Sequence, residues 1–451
     1  PRDWSSDVCS SDLYDATTVA TLGGSATVTG YVGDTVNVTG TGAGTFANKN
    51  IGTAKPVTVT GYSLTGAEAG NYTIVQPTGV TADITPASLT VTGLSGVSRV
   101  YNATDIAALS GTASLSGVLA LDVVTPVNTT SGTFDSKNVG TAKPITTAIT
   151  LSGADAGNYV VVQPSGLSAD VTKADLAVTG VTANNRTYDS TTVATLGGLA
   201  TVTGFIGDTV NVSGSGTGAF ANPNVGNVKP VTVSGFSLSG ADALNYNVLQ
   251  PTGLNADITP AALTLNAASD SRVYDGTINS SGTVTPSGLY GSDSVTGATQ
   301  SFASRHVMGA NASTLQVNAG YTVNDGNGGN NYTLTTNTAA GTITPASLTV
   351  STTSVNRVYD TTQNAAGSAI VTGGMLYVTD TISGGTFQFA SKNAGTNVTV
   401  NVSGVTVNDD NAGNNYAVTY AANNTSNITK ADLVVTGVTA NSRVYDSTTI
   451  A

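Results

Sequence analysis

The chain has 451 residues, of which 9% are charged, and its formal net charge is −12. Gly, Thr, Ser, Asn, Val and Ala dominate, which favours pleated strands and positive-φ turns over helices. Lys and Arg are too few and scattered for a nucleic-acid or anionic-membrane face, no apolar run reaches the roughly 20 residues of a membrane-spanning helix, and the single Cys9 excludes an internal disulfide.

Pro1 to Leu13 holds Cys9 and the only tryptophan, Trp4. It matches nothing downstream and resembles the translation of a short-read sequencing adapter, so it is expected to be an artefact whose removal leaves stability unchanged. From Tyr14 onward one signature recurs. It reads Asn185-Arg186-Thr187-Tyr188-Asp189 in its fullest surroundings and returns as Arg99-Val100-Tyr101-Asn102, Arg272-Val273-Tyr274-Asp275-Gly276, Arg357-Val358-Tyr359-Asp360 and Arg443-Val444-Tyr445-Asp446, with a beheaded copy at Tyr14-Asp15. The period is about 86 residues, the mark of a tandem array. It divides the chain into an N-terminally truncated repeat at 14–86, full repeats at 87–173, 174–260, 261–345 and 346–430, and a truncated sixth at 431–451.

The third repeat shows the expected elements in order. Leu176-Ala177-Val178-Thr179 is an alternating opening strand, followed by the signature. Ala200–Phe205 and Thr209–Val212 flank Gly207-Asp208, which reads as a hairpin turn. Phe220 follows, matched by Phe46, Phe134, Phe302 and Phe389, then Lys229-Pro230, the strand Val231–Ser234, a loop to Asn245-Tyr246, and the closing strand Leu254–Thr259. Six or seven short strands with regular turns predict an all-β fold, an elongated array of about five immunoglobulin-like β-sandwich repeats. Val231 and Val233 sit on odd positions, Phe236 and Leu238 on even ones; the switch at Gly235, and the same switch at Gly61, predicts β-bulges. The second repeat is one residue shorter there, which predicts regular pairing through Ile145 to Leu151.

The Tyr-Asp signature, the Asn-Tyr pair before the last strands, and the Ile-Thr-Pro-Ala and Thr-Lys-Ala-Asp-Leu junctions resemble the YDG-type repeats of filamentous-haemagglutinin-like bacterial surface adhesins exported by two-partner secretion. The resemblance covers Tyr14 to Ala451, although only Tyr274-Asp275-Gly276 spells the signature in full and Asn102 replaces the acid in the second repeat. It implies a secreted, cell-surface protein with an outer-membrane secretion partner, and no enzymatic residues.

The residues themselves point the same way. Each signature tyrosine is expected to fill a core while its Asp holds backbone amides in an Asx-turn. Arg99, Arg186, Arg272 and Arg357, two residues earlier and on the same strand face, are expected to pack over the tyrosine ring. His306 stands where the other repeats have Asn138 or Asn393 and reads as a loop variant. With one Cys, one His and the single Glu68, no zinc site, catalytic triad or Glu-based acid pair can be assembled. Asp325, Asn327, Asp409, Asp410 and Asn411 place oxygen ligands at close spacing and are weak calcium candidates without the bidentate Glu of a calcium loop. No cofactor is expected. The expected role is a stalk that carries a binding region away from the cell, its partners being host or neighbouring-cell glycans or proteins reached through the parent protein. The alternative is that each repeat binds a carbohydrate or host ligand itself, which exposed off-beat aromatics such as Tyr290, Tyr377 and Tyr420 would favour. Neither enzymatic activity, nucleic-acid binding nor membrane insertion is expected.

Overall fold

The computed structural model describes residues 11–119, 121–445 and 447; Cys9, Trp4 and Asp446 lie outside them. The chain divides into two compact units, and the dividing line runs through the third repeat. One unit holds Pro1–Thr182, Leu196–Gly218 and Thr232–Leu254, the other Ala183–Thr195, Ala219–Val231 and Asn255–Ala451. Among the described residues strands account for nearly all regular structure, and the only helical pieces are single 3-10 turns such as Ala156–Asn158.

The second repeat, wholly inside the first unit, shows the plan. Its strands are β1 (Ala87–Gly96), β2 (Arg99–Val100), β3 (Ile106–Ser116), β4 (Thr125–Val127), β5 (Ser131–Phe134), β6 (Gly140–Thr146), β7 (Thr150–Ser152), β8 (Tyr159–Val162) and β9 (Ser168–Thr172). Seven form one curled sheet in the order β8-β1-β3-β5-β6-β9-β2, and β4 pairs with β7. The outermost pairs, β8 with β1 and β9 with β2, are parallel. The long β3 joins the two ends: Ile106–Ala108 pair with β5, and Leu109–Ser116 pair with β1. Its ladder shifts between Gly111 and Ser114. A Cβ on Gly111, at φ +97°, would lie 2.1 Å from the Gly93 carbonyl oxygen, so the ribbon can bend here only because the residue lacks one.

The bend separates two cores. On one side Ala87, Leu89 and Tyr159 close on Phe46, Val57, Val59 and Ile84 of the first repeat. On the other, Tyr101, Phe134, Ile145 and Val171 close on Ala174, Leu176 and Tyr246 of the third. In the second unit Tyr274, Phe302 and Ile343 of the fourth repeat likewise close on Leu348, Val350 and Tyr416 of the fifth. These three hydrophobic cores are thus out of phase with the sequence repeat: each takes one layer from one repeat and the facing layer from the next. Leu89 and Leu348 are fully buried, and each such leucine contributes about 2 kcal/mol of apolar burial. The junction Thr85-Pro86-Ala87 is the point where the chain leaves one layer and enters the other. Thr85 ends a strand and Ala87 begins β1, and the intervening proline has no N–H that either ladder must satisfy.

Three local expectations are corrected. Gly61 is not a bulge within a ladder. Gly52–Thr60 pairs with Ala43–Phe46, whereas Ser63–Thr65 pairs with Asn37–Thr39, so the chain changes sheets at Gly61-Tyr62. Ser237–Ser239, just after Gly235, pairs with Asn211–Ser213 in the same way. The second repeat makes the same change, since β6 ends at Thr146 and β7 pairs with β4, so the regular pairing expected from Ile145 to Leu151 is absent. In all three repeats a glutamine bridges the gap: Gln76, Gln163 and Gln250 accept from the backbone N–H of Tyr62, Ile149 and Phe236 and donate to the carbonyl of the same residue. The ladder irregularity lies upstream, between Gly52 and Lys55 and between Gly140 and Lys143. There Ala54 and Ala142 take φ near +48° and +47°, and the Asp83 and Asp170 carboxylates accept their N–H groups at 2.8 Å.

Gly207-Asp208 turns the chain, with Asp208 N–H donating to the Phe205 carbonyl, but it does not join a hairpin: Asn211–Ser213 pairs with Ser237–Ser239 instead. Asp12-Leu13, read from the sequence as foreign, pair in parallel with Ile84-Thr85, as Arg99-Val100 pair with Val171-Thr172. Backbone pairing tolerates almost any side chain, so these two residues pair with the first repeat although they match nothing in the other repeats.

Candidate functional site: the junction between repeats

The residue after each signature acid explains part of the motif. Ala16, Ala103, Ser190 and Thr361 have φ of 64°, 65°, 64° and 71°, and Gly276 has 75°. The signature therefore makes a turn that places its third residue in the left-handed region, where glycine is at ease. The preceding acid fixes that turn: Asp15, Asp189, Asp275 and Asp360, with Asn102 in the second repeat, accept the backbone N–H two residues on at 2.8–3.2 Å. Asn102 performs this as well as the acids do, since only a carbonyl-type oxygen is needed.

The arginines pair within the signature, Arg186 with Asp189, Arg272 with Asp275 and Arg357 with Asp360. Their guanidinium planes do not cover the tyrosines, as the strand spacing suggested. They cover the repeat phenylalanine: Arg99 lies 5.5 Å from the Phe134 ring centre, Arg186 5.4 Å from Phe220, Arg272 5.1 Å from Phe302 and Arg357 4.8 Å from Phe389. In the first repeat, where Asp12 occupies the arginine's place, the Lys55 ammonium lies 5.6 Å from the Phe46 ring instead.

The tyrosine ring is free of the arginine because it is turned toward the following repeat. The Tyr14 hydroxyl donates to Asp122 at 2.7 Å, and Tyr159, the tyrosine of the second repeat's Asn-Tyr pair, donates to the same carboxylate oxygen at 2.6 Å. The rings meet edge to face, 5.2 Å apart. Three further copies follow: Tyr101 and Tyr246 on Asp208 at 2.8 and 2.6 Å, Tyr188 and Tyr332 on Asp293 at 2.9 and 2.7 Å, and Tyr274 and Tyr416 on Asp380, both at 2.8 Å. Each clasp thus joins the signature tyrosine of one repeat to the turn aspartate and the Asn-Tyr tyrosine of the next. The asparagine before that tyrosine adds a second link. Asn158, Asn245, Asn331 and Asn415 accept the backbone N–H of Ile51, Val139, Val225 and Val307 in the preceding repeat at 2.9–3.0 Å.

Lysines complete the first two clasps. Lys49 pairs with Asp122 and with Asp155 at 3.0 Å; Lys137 pairs with Asp208 at 2.5 Å and Asp242 at 2.8 Å. Burial pushes the Asp122 and Asp208 carboxyls up, but the lysine and the two tyrosine hydroxyls outweigh it and hold both below the ordinary carboxylate value. Burial, followed by the bond to the carboxylate, raises the tyrosines: Tyr159, Tyr188, Tyr246 and Tyr274 are pushed up to about 12. Pro223 replaces the lysine in the third repeat, and Arg305 reaches Asp410 at 3.2 Å in the fourth.

The remaining candidates fall into place around these clasps. His306 faces the fifth repeat, its Nδ1 3.1 Å from the Asn415 amide nitrogen, a position that Asn50 and Asn138 fill at earlier junctions. The calcium candidates lie in two matching loops, where Asp325 and Asp409 accept from the backbone. Asp325 accepts three backbone N–H groups, from Asn327, Gly329 and Asn331 at 2.8, 2.8 and 3.0 Å, and Asp409 accepts the matching three from Asn411, Gly413 and Asn415. Burial raises the Asp325 carboxyl, and these N–H groups outweigh it and bring it below its ordinary value. Tyr290 and Tyr377 pack edge-on against Tyr188 and Tyr274, and the Tyr420 hydroxyl lies beside the Val405 backbone; Tyr290 and Tyr420 are each 43% exposed, the exposure that the ligand-binding alternative calls for. Tyr445 is 89% exposed. The side chains of Asp122 and Asp208 have no exposure, and what the cluster does chemically is join two layers.

No curated protein matches the chain. The family model described as YDG domain matches it five times in tandem, over residues 9–80, 85–166, 172–253, 259–339 and 344–425. The chain belongs to the YDG domain family, as a tandem array of five copies.

Proposed function

We propose that the array is a structural stalk of a large secreted bacterial surface adhesin, holding a binding region away from the cell. One observation carries this reading: at four successive junctions neighbouring repeats are tied by a Tyr-Asp-Tyr clasp, and at three of them the two layers of a single core come from the two repeats. A binding or catalytic module would place its recurrent polar groups around an open cleft. Here the recurrent groups are consumed in coupling one repeat to the next, with no linker between the strands that cross the junction. In this reading the array itself is not an enzyme. Host or neighbouring-cell glycans or proteins are met by other parts of the parent protein, and an outer-membrane partner exports it. Small-angle scattering tests the stalk. A globule of this length has a radius of gyration of about 22 Å; the expected value is well above that, and a value near it rules the stalk out.

A further inference from the structure

In each full repeat the first strands and the last strands run side by side in the same direction. In the second repeat Ala87–Thr90 of β1 lie opposite Tyr159–Val162 of β8, and Arg99-Val100 of β2 lie opposite Val171-Thr172 of β9, with the same spacing along the sequence in both pairings. Between them the Ser98 hydroxyl accepts the Asp170 N–H at 3.0 Å. The opening and closing ends of the repeat thus form one parallel ribbon in a single register. The third repeat pairs Ala174–Ala177 with Tyr246–Leu249 and Arg186-Thr187 with Ile258-Thr259. The fourth pairs Ala261–Asn266 with Tyr332–Asn337 and Ser271–Val273 with Thr342–Thr344, and the fifth pairs Ala346–Val350 with Tyr416–Tyr420 and Asn356–Val358 with Asn427–Thr429. Side chains stitch the same ribbon across: the Thr264 and Thr335 hydroxyls are 3.0 Å apart, those of Thr349 and Thr419 3.1 Å, and Asn337 and Asn427 donate to Asn266 and Asn356 at 2.9 Å.

This ribbon fixes how a pull along the chain acts on a repeat. The closing strand of one repeat passes into the opening strand of the next across a single residue, since β9 ends at Thr172 and the third repeat's first strand begins at Ala174. No slack is left there to take up a load. A pull from the N-terminal side draws β1 backward, and a pull from the C-terminal side draws β9 forward. Because both belong to one parallel ribbon, the two pulls slide its sides past each other along the strand axis. The ladder bonds run between the strands and across that axis, so they are loaded together and must fail together. A ladder pulled apart from one end loses them one at a time instead. Forced unfolding is governed by the rate of crossing that barrier.

We propose that the repeats bear tension, each acting as a shear clamp whose load-carrying part is the parallel ribbon between its opening and closing strands. The stalk reading supplies the source of that tension, and the inference rests on it for its role in the parent protein. The clamp itself is a property of each repeat.

Optical-tweezers unfolding of the full chain tests this, with two handle geometries on the second repeat. Cys9, the only cysteine, is first changed by Cys9→Ser so that handles attach only where they are placed. Handles at Ser88→Cys and Lys173→Cys pull on opposite ends of the ribbon and load it in shear. Handles at Ser88→Cys and Gly157→Cys pull at the start of β1 and just before β8, and peel the same ladder from one end. Ser88, Gly157 and Lys173 are exposed, and a Cβ on Gly157 meets nothing within 4 Å, so both variants are expected to keep the far-UV spectrum of the parent chain. The expected result is an unfolding force several-fold higher in shear than in peeling. Equal forces, or a lower force in shear, overturn the clamp. Weak shear resistance together with a large radius of gyration refutes the clamp and keeps the stalk, whereas strong shear resistance with a compact radius of gyration supports the clamp and refutes the stalk.

Discussion

At the residue scale, the chain uses side chains that conflict with their own backbone. Thr361 is β-branched and stands at φ +71°, where an L residue is strained by roughly 1–3 kcal/mol. Gly276 holds the same position without strain. Thr361→Gly is therefore expected to raise stability by about 1 kcal/mol once the added backbone freedom of glycine in the unfolded chain is allowed for; chemical denaturation reads it directly, and an unchanged or lower midpoint counts against the strain. The clasp tyrosines make a pH prediction with a fixed sign. Tyr188, Tyr246 and Tyr274 have values raised to about 12 in the folded chain from about 10 in an unfolded one. Their contribution is complete below about pH 10 and is lost as pH rises through about 12. Tyrosinate absorbance and near-UV dichroism should change together in that window; ionisation of these tyrosines near pH 10 in a folded chain would contradict it.

At the element scale, the sequence exposes whatever depends on period and local chemistry. The repeat length, the all-β class, the Asx-turn at Asp189 and the opening strands follow from spacing and residue type alone. What it hides is partnership. Alternation says that Val231 and Val233 share a face, and the phase change says that something happens at Gly235, but a bulge and a change of sheet leave the same trace. Only the partner strand distinguishes them, and Gln250, fourteen residues beyond Phe236, was the available signal. The aspartate of Gly207-Asp208 was hidden in the same way. In a sequence it is a turn former; its bonds to Tyr101 and Tyr246 span 107 and 38 residues. Strand spacing points Arg99 to the nearest ring in sequence, Tyr101, whereas the ring beneath it is Phe134 from another strand.

At the scale of the whole molecule, cores that straddle repeats change what a lesion does. If each repeat closed its own core, damage would stay inside one repeat. Here the layer of the second repeat holding Tyr101, Phe134 and Ile145 is covered by the third repeat's Ala174, Leu176 and Tyr246. Asp208 belongs to the third repeat but satisfies hydroxyls from both, and its side chain is fully buried. Asp208→Ala leaves two buried hydroxyls without an acceptor and the Lys137 ammonium without its nearest partner, a loss of about 3 kcal/mol. In an array whose stability is a sum of units and interfaces, that loss should appear on both sides of the junction. Native-state hydrogen exchange resolves it. Amides of β6 and β9 in the second repeat and of Tyr246–Leu249 in the third should lose protection together, while the Ala87–Val91 part of β1, which closes on the first repeat, keeps its own. Loss confined to the third repeat would mean that the sequence repeat is the folding unit after all.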